Sequence, residues 1–526
     1  MRRTVSAIAL CALAGPAFAE VDAAELWEDL RTGAEAWGYT VDAGAVDIGD
    51  TEVTVTDLTF SFASETSVPA EDDPLLPPSG ETGDDAGAAP VTVTTDIVFT
   101  LPTLRIVEDG EAAVIELPAA MPFEVTGTSA EGAGNSLFGG TLGQEGMRIT
   151  VTEDGDAKLY DYTAGAITAN VDRFEGPDVP DEIDVAVRME DVTGRSRVSE
   201  NADGHRVSEQ SSQAARLTVS ANVTDGGDNP GDFALAMAVA DVSGGGTAVL
   251  PEDIDMNDMA AALAAGLDIQ SSLTLGAGHT EMEFTSPEGN FSYAANSNGG
   301  GIEVALAPDT LRYGITSDGG DVSIVGSNIP VPELSYSVES GRMIVTLPPL
   351  GSDEPQSFGV DVALRGVEIS ESLWSLFDPE AVLPREPASI VLDMTGTALF
   401  PQGLMDLTGG ATPSTTPPEV SEIEIQSLEL SLAGAALLGR ASFTGTPGGM
   451  PMAPGLPPLQ GTAELSVTGL NALMDGLTQL GLVPPQQGAM VRGMLGFIAR
   501  PTGDDSYATE IELGPNGITA NGVPLQ

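Results

Sequence analysis

His205 and His279 are the only side chains here whose ordinary ionisation suits proton transfer near neutral pH. His205 follows Asp203-Gly204, and His279 follows Gly276-Ala277-Gly278, so both read as exposed turn residues. Neither has a zinc-ligand spacing or a nucleophile motif beside it. The one cysteine, Cys11, lies in an N-terminal leader, which leaves the rest of the chain without thiolates or disulfides. Two facing carboxylates could hydrolyse a glycoside, but among 79 Asp and Glu residues no pair stands out. Asp253, Asp255 and Asn257 have the opening spacing of a calcium loop. That loop needs glycine at its sixth position and glutamate at its twelfth, and Asp258 and Ala264 stand there instead. A phosphate loop, a dinucleotide fingerprint and a Gly-x-Ser-x-Gly elbow are all missing. The chain therefore reads as non-catalytic, with no catalytic, cofactor-binding or metal-binding residue assigned and no cofactor expected.

Composition limits the partners. The 526 residues carry a formal charge of -60, which repels nucleic acid and anionic headgroups, since both are bound through clustered Lys and Arg. Lys158 is the single lysine. The acidity reads as solvation of a surface rather than as a metal site. Met1-Arg2-Arg3, an apolar run from Val5 to Leu13 and Gly15-Pro16-Ala17-Phe18-Ala19 form a secretory-signal pattern. It predicts cleavage after Ala19, export to the periplasm and a mature chain without a transmembrane segment.

The elements follow from alternation. Leu104 to Leu117 alternates apolar and polar residues on both sides of Asp109-Gly110, a hairpin signal because Asp-Gly accepts positive φ. Looser copies run through Asp154-Gly155, Asp318-Gly319 and Ser340-Gly341. The expected fold is mainly β with a few short helices: serial antiparallel hairpins in a long curved sheet or sandwich, with a helix pair near the C-terminus. Beyond the 1–19 signal, the expected regions are 20–248, 249–402 with short helices, and 419–526 with the helix pair, or one continuous body. Asp22 begins the first helix, and Val53 and Val55 change parity to Leu58 and Phe60, which implies a bulge near Thr56-Asp57 or else a short break. Phe233, Leu235, Met237 and Val239 alternate with alanines, as in a strand covered on both faces. Val93, Ile97, Phe99, Ile106 and Ile115 are candidates for the lining of an apolar groove. Two C-terminal stripes, containing Leu473 and then Met490, Met494 and Phe497, form a candidate helical lid over the β body.

The Leu26-Trp27 helix, the segment from Ser372-Leu-Trp374 through Phe377-Asp378-Pro379 and Leu383-Pro-Arg385 to Asp393, and the ending Asn521-Gly-Val-Pro524-Leu carry a resemblance. Together they look like an alphaproteobacterial periplasmic family catalogued as domain of unknown function 2125, which implies no catalytic residues. The serial hairpins, C-terminal helix pair and Asn-Gly ending are more distantly similar to AsmA-like envelope proteins. That similarity implies a long β groove associated with lipid handling. Three classes follow: a non-catalytic β-rich module that binds an apolar ligand or lipid or acts as an envelope scaffold, with a lipid or envelope protein as partner, a carboxylate-dependent periplasmic hydrolase, and a purely structural acidic envelope protein.

Overall fold

The computed structural model describes residues 21–36, 38–68, 91–129, 135–176, 179–227, 230–252, 258–405, 419–445, 459–514 and 517–525. The leader with its cleavage position, Trp37, the acidic 69–90 stretch, the calcium-like Asp253 and Asp255, and the Thr/Pro-rich and Pro/Gly-rich segments at 406–418 and 446–458 lie outside them.

The described strands form one antiparallel sheet of 28 strands. It begins β1 (Thr40–Ile48), β2 (Glu52–Val68) and β3 (Val91–Asp109). The two ends of β3 then pair differently, with β4 (Ala112–Glu116) along Arg105–Asp109 and with β5 (Ala120–Ser129) along Val93–Phe99. β6 (Asn135–Glu145) follows β5, β7 (Arg148–Asp154) follows β4, and both rejoin on β8 (Ala157–Glu175). Three more full-width strands come next: β9 (Glu182–Glu200), β10 (Arg206–Asp225) and β11 (Gly231–Leu250). The split then recurs. On one side run β12 (Asp268–Leu275), β15 (Gly300–Ala307), β16 (Thr310–Ser317) and β19 (Ser340–Leu347). On the other run β13 (Gly278–Ser286), β14 (Gly289–Ser297), β17 (Gly320–Gly326) and β18 (Leu334–Val338). β20 (Gln356–Ile369) receives both sides. The ladder ends through β21 (Ala388–Leu399), β22 (Glu419–Leu432), β23 (Ala435–Gly445), β24 (Leu459–Thr468) and β26 (Ser506–Gly514), with short β25 (Arg500–Gly503), β27 (Gly517–Ala520) and β28 (Val523–Pro524).

A crease crosses this sheet where each long strand changes parity. Asp57 in β2, Asp191 in β9 and Asp241 in β11 have φ of 49°, 51° and 49°, while the pairing on either side keeps its register. A residue in the left-handed region turns the strand without inserting an extra residue into one strand of the pair, so the bulge expected near Asp57 is instead a turn that keeps the register, and both walls keep one apolar side. Across the crease, Ala164, Val192 and Ala214 pack with Ile167 and Met189, which makes the apolar side the concave one. This explains two differences from the sequence reading. Asp318-Gly319 and the residues around Ser340-Gly341 are not hairpin turns: β16 does not pair with β17, nor β18 with β19, because the chain crosses the crease there. Asp318 N donates to Gly299 O and Asn298 N to Gly319 O, so neighbouring crossings are hydrogen-bonded to each other. Asp109-Gly110 and Asp154-Gly155 do close true hairpins. β11 is not covered on both faces, since Ala236 is exposed on its outer side.

Helices close the ends. α1 (Ala23–Ala36) starts where Asp22 Oδ1 accepts from the amides of Ala24 and Glu25. It buries Leu26 and Trp27 against Val53, Val55, Ile106 and Ile115, and with Val21 they form the largest packed core. Glu25 and Asp29 reach Lys158, whose ammonium is desolvated but held above its usual pKa by these two carboxylates. α2 (Met259–Ala264), capped by Asp258, packs Leu263 with Leu250 and Leu267. α3 (Glu371–Trp374), α4 (Leu470–Gln479) and α5 (Pro485–Ile498) gather beyond β20, where the second wall stops.

Candidate apolar trough

The trough is built by cross-strand register. Leu273 faces Ile302, Ile302 faces Ile315, Ile315 faces Met343, and the row continues through Val362, Leu392 and Leu428. Residues opposite one another on paired strands share a face, so this is one unbroken apolar line. A parallel row runs Leu364, Ile390, Leu430 and Leu437. On the second wall Phe284 faces both Phe233 and Phe291, and Met282 faces both Leu235 and Tyr293. Leu273, Ile302, Ile315 and Met343 are between 37% and 42% exposed. Among the described residues no second layer covers them, which is unusual for contiguous aliphatic side chains in a sheet of this size.

The opposite face is polar. Glu303 and Arg312 pair there, as do Arg342 and Asp361. An outer concavity of about 690 Å³ is edged by the row Thr163, Thr193, Gln213, Ser243 and Thr274 and by the Asp161–Arg195 ion pair. It offers hydroxyls and one self-satisfied pair, and it lies on the reverse of the apolar rows. His279 is also on this outer face, with Nδ1 2.8 Å from Asn296 Oδ1 and Nε2 3.1 Å from Glu281. Glu281, and next Asn296, push its pKa up. His205 sits half-buried in its turn, its carbonyl accepting from Asn201 N. Among the described residues, no group of three or more His, Cys, Asp and Glu is arranged to hold a metal.

The five residues proposed for the groove divide at the crease. Ile97 and Phe99 lie on the second wall, half-buried, with Phe99 flanked by Phe60 and Phe123, and Val93 is paired to Thr66 and Ser129 on the same stretch of β3. Ile106 and Ile115 lie on the first wall beneath α1 and are buried, so they belong to the packed end and not to the open rows. The open centre consists of residues not proposed from the sequence, Leu273, Ile302, Ile315 and Met343 among them. Their alternation was visible, but alternation marks a common face without saying whether anything covers it.

The lid residues divide too. Leu473, with Leu477 and Leu480, packs on Trp374, Leu383 and Ala433. Asn471 donates to the Tyr507 hydroxyl, and Ile498 O accepts from Thr509 Oγ1 and Asn521 Nδ2, so the helix pair stands on the trough face of the last strands. Met490, Met494 and Phe497, however, point to solvent. α5 buries Leu495 instead, because its Gly488 and Leu495 side lies against α4 and the sheet.

Residues 271–514, from β12 to β26, match the model of a family described as an uncharacterized protein conserved in bacteria. The Ser372 to Asp393 segment falls inside this match, whereas the α1 region and the Asn521 ending fall outside it. No curated protein matches the chain, and no solved structure does.

Proposed function

We propose that the chain is a non-catalytic periplasmic binding protein that holds an extended apolar ligand, the acyl chain of a lipid, along the crease. The observation that carries this reading is the in-register row Leu273, Ile302, Ile315 and Met343, which is left facing an open trough. Covering such a row is favourable by roughly 25 cal/mol for each Å² removed from water. A slender, flexible chain fits a long trough with no deep pocket, and the polar outer face keeps the loaded protein soluble. The leader and the resemblance to groove-forming envelope proteins support an envelope setting.

Two measurements test this. Native mass spectrometry of the chain purified from its own periplasm should find a co-purifying lipid, and its N-terminus should begin at Glu20. A fluorescent fatty-acid probe should bind the delipidated chain, and Ile315→Glu with Met343→Glu should weaken binding about tenfold or more, since each places a charge against the acyl chain. Absence of both lipid and probe binding would refute the reading.

A further inference from the structure

We infer that the outward face of α5 is a docking surface for a lipid bilayer of low charge. After the exposed Gln486 and Gln487 of its first turn, the solvent side of this helix carries Ala489, Met490, Gly493, Met494, Gly496 and Phe497. Not one of these side chains is charged or forms hydrogen bonds. Met490 is 61% exposed, Met494 59% and Phe497 69%, and their spacing of four and three residues sets them on one stripe. A helix packed on a soluble body ordinarily turns its apolar stripe inward and its polar side to water. α5 does not. Its one charged side chain, Arg492, is turned back to Asp475 and to the carbonyl of Asn471.

Charge identifies the occupant. The 79 carboxylates are spread along the chain, yet none falls between Gly476 and Gly503, where Arg492 and Arg500 are the only charged residues. A second copy at -60 would be repelled over the rest of its surface, and so would any strongly anionic partner. A bilayer rich in zwitterionic headgroups can approach this helix, which bears no carboxylate of its own and whose neighbour Asp475 is already paired with Arg492, with little of that cost. Met and Phe on a flat stripe suit insertion into the headgroup boundary. At 14 residues α5 is too short to span a membrane, so it would lie along the surface. The surface adjoins the trough: Ile498 O accepts from Thr509 Oγ1, and Thr509 faces Leu465 on the apolar side of the sheet. Docking there would bring the helix-capped end of the trough to the lipid. The surface chemistry of α5 does not depend on whether the trough holds a ligand.

Flotation of the purified full chain with phosphatidylcholine vesicles tests the inference. The chain should rise with the vesicles, and Met490→Ser/Met494→Ser/Phe497→Ser should cut the bound fraction about tenfold, as expected when inserted apolar area is removed. Phe497→Ser alone should give a smaller loss in the same direction. Because all three side chains are exposed, the melting temperature and the affinity for the fatty-acid probe should not change. Failure of the unaltered chain to float, equal flotation of the triple variant, or a self-association that the triple variant abolishes would each overturn the docking surface. Probe binding, read on the same samples, reports separately on the trough.

Discussion

Asp378 is fully buried, and its carboxylate is the keystone of the turn after α3. It accepts from the amides of Val382 and Leu383 at 2.9 Å and from Arg385 Nη1 at 2.6 Å, while the Arg385 guanidinium lies 4.2 Å over the Trp374 ring. Burial pushes its pKa up, but Arg385 and the two amides outweigh that and hold it below the usual carboxylate range. A depressed folded pKa stabilises the fold above the unfolded value, near 3.9 for Asp, and this contribution is lost as pH falls through the folded value. Asp378→Ala should therefore lower the melting temperature at pH 7 and flatten the acid limb of the stability profile, as thermal melts between pH 7 and pH 3 would show. The sequence marked this segment only as a recurring string, because nothing in a linear pattern says that a carboxylate will be buried against an arginine. At the other end, Trp27→Ala should cost about 3–5 kcal/mol by opening the core under α1. Lys158→Gln should cost about 1 kcal/mol or less, since the Glu25 and Asp29 carboxylates it loses are largely solvated. Denaturant titration of the two variants would check both.

Among the elements, the crease is the part least legible beforehand. The parity change at Asp57 could be read directly, but the same change at Asp191 and Asp241 sits in strands whose alternation is blurred by alanine and serine. Asp-Gly marks a residue able to take positive φ, and a crossing between walls needs that as much as a hairpin does, so Asp318-Gly319 carries the hairpin signal while serving a crossing. Asp191→Val and Asp241→Val should each destabilise by about 1–2 kcal/mol, because a β-branched side chain is strained at positive φ, while Asn at either position should be close to neutral. Urea unfolding would separate them. The helix pair is legible in its two apolar stripes, but the face turned by its second helix is not, since sequence gives a stripe and not its direction. Leu473→Asp should lower the melting temperature by several degrees, whereas Phe497→Asp should shift stability by no more than about 0.5 kcal/mol, as for an exposed site. Differential scanning calorimetry distinguishes the two.

On the scale of the whole molecule, a single ladder carries everything. With neighbouring strands about 4.8 Å apart, it extends on the order of 100 Å from α1 to β28. Serial antiparallel pairing was readable because each strand announces its inner face by alternation, as Leu311, Tyr313 and Ile315 do. Whether Ile315 met a second sheet or water could not be read, since both outcomes use the same residues. The crossings between walls differ along this length. From β8 to β11 each strand runs unbroken through the crease, and β9 and β11 turn there at the left-handed Asp191 and Asp241, whereas from β12 to β19 separate strands meet at links containing Gly276, Gly299 and Gly319. Glycine links are the more pliant. The far half of the sheet should therefore gape and reclose while the middle stays stiff, so a long hydrocarbon would load sideways through a breathing seam instead of threading in from a tip. Hydrogen exchange should register that seam as faster amide turnover at the 298–300 and 318–320 crossings than at Asp191 and Asp241.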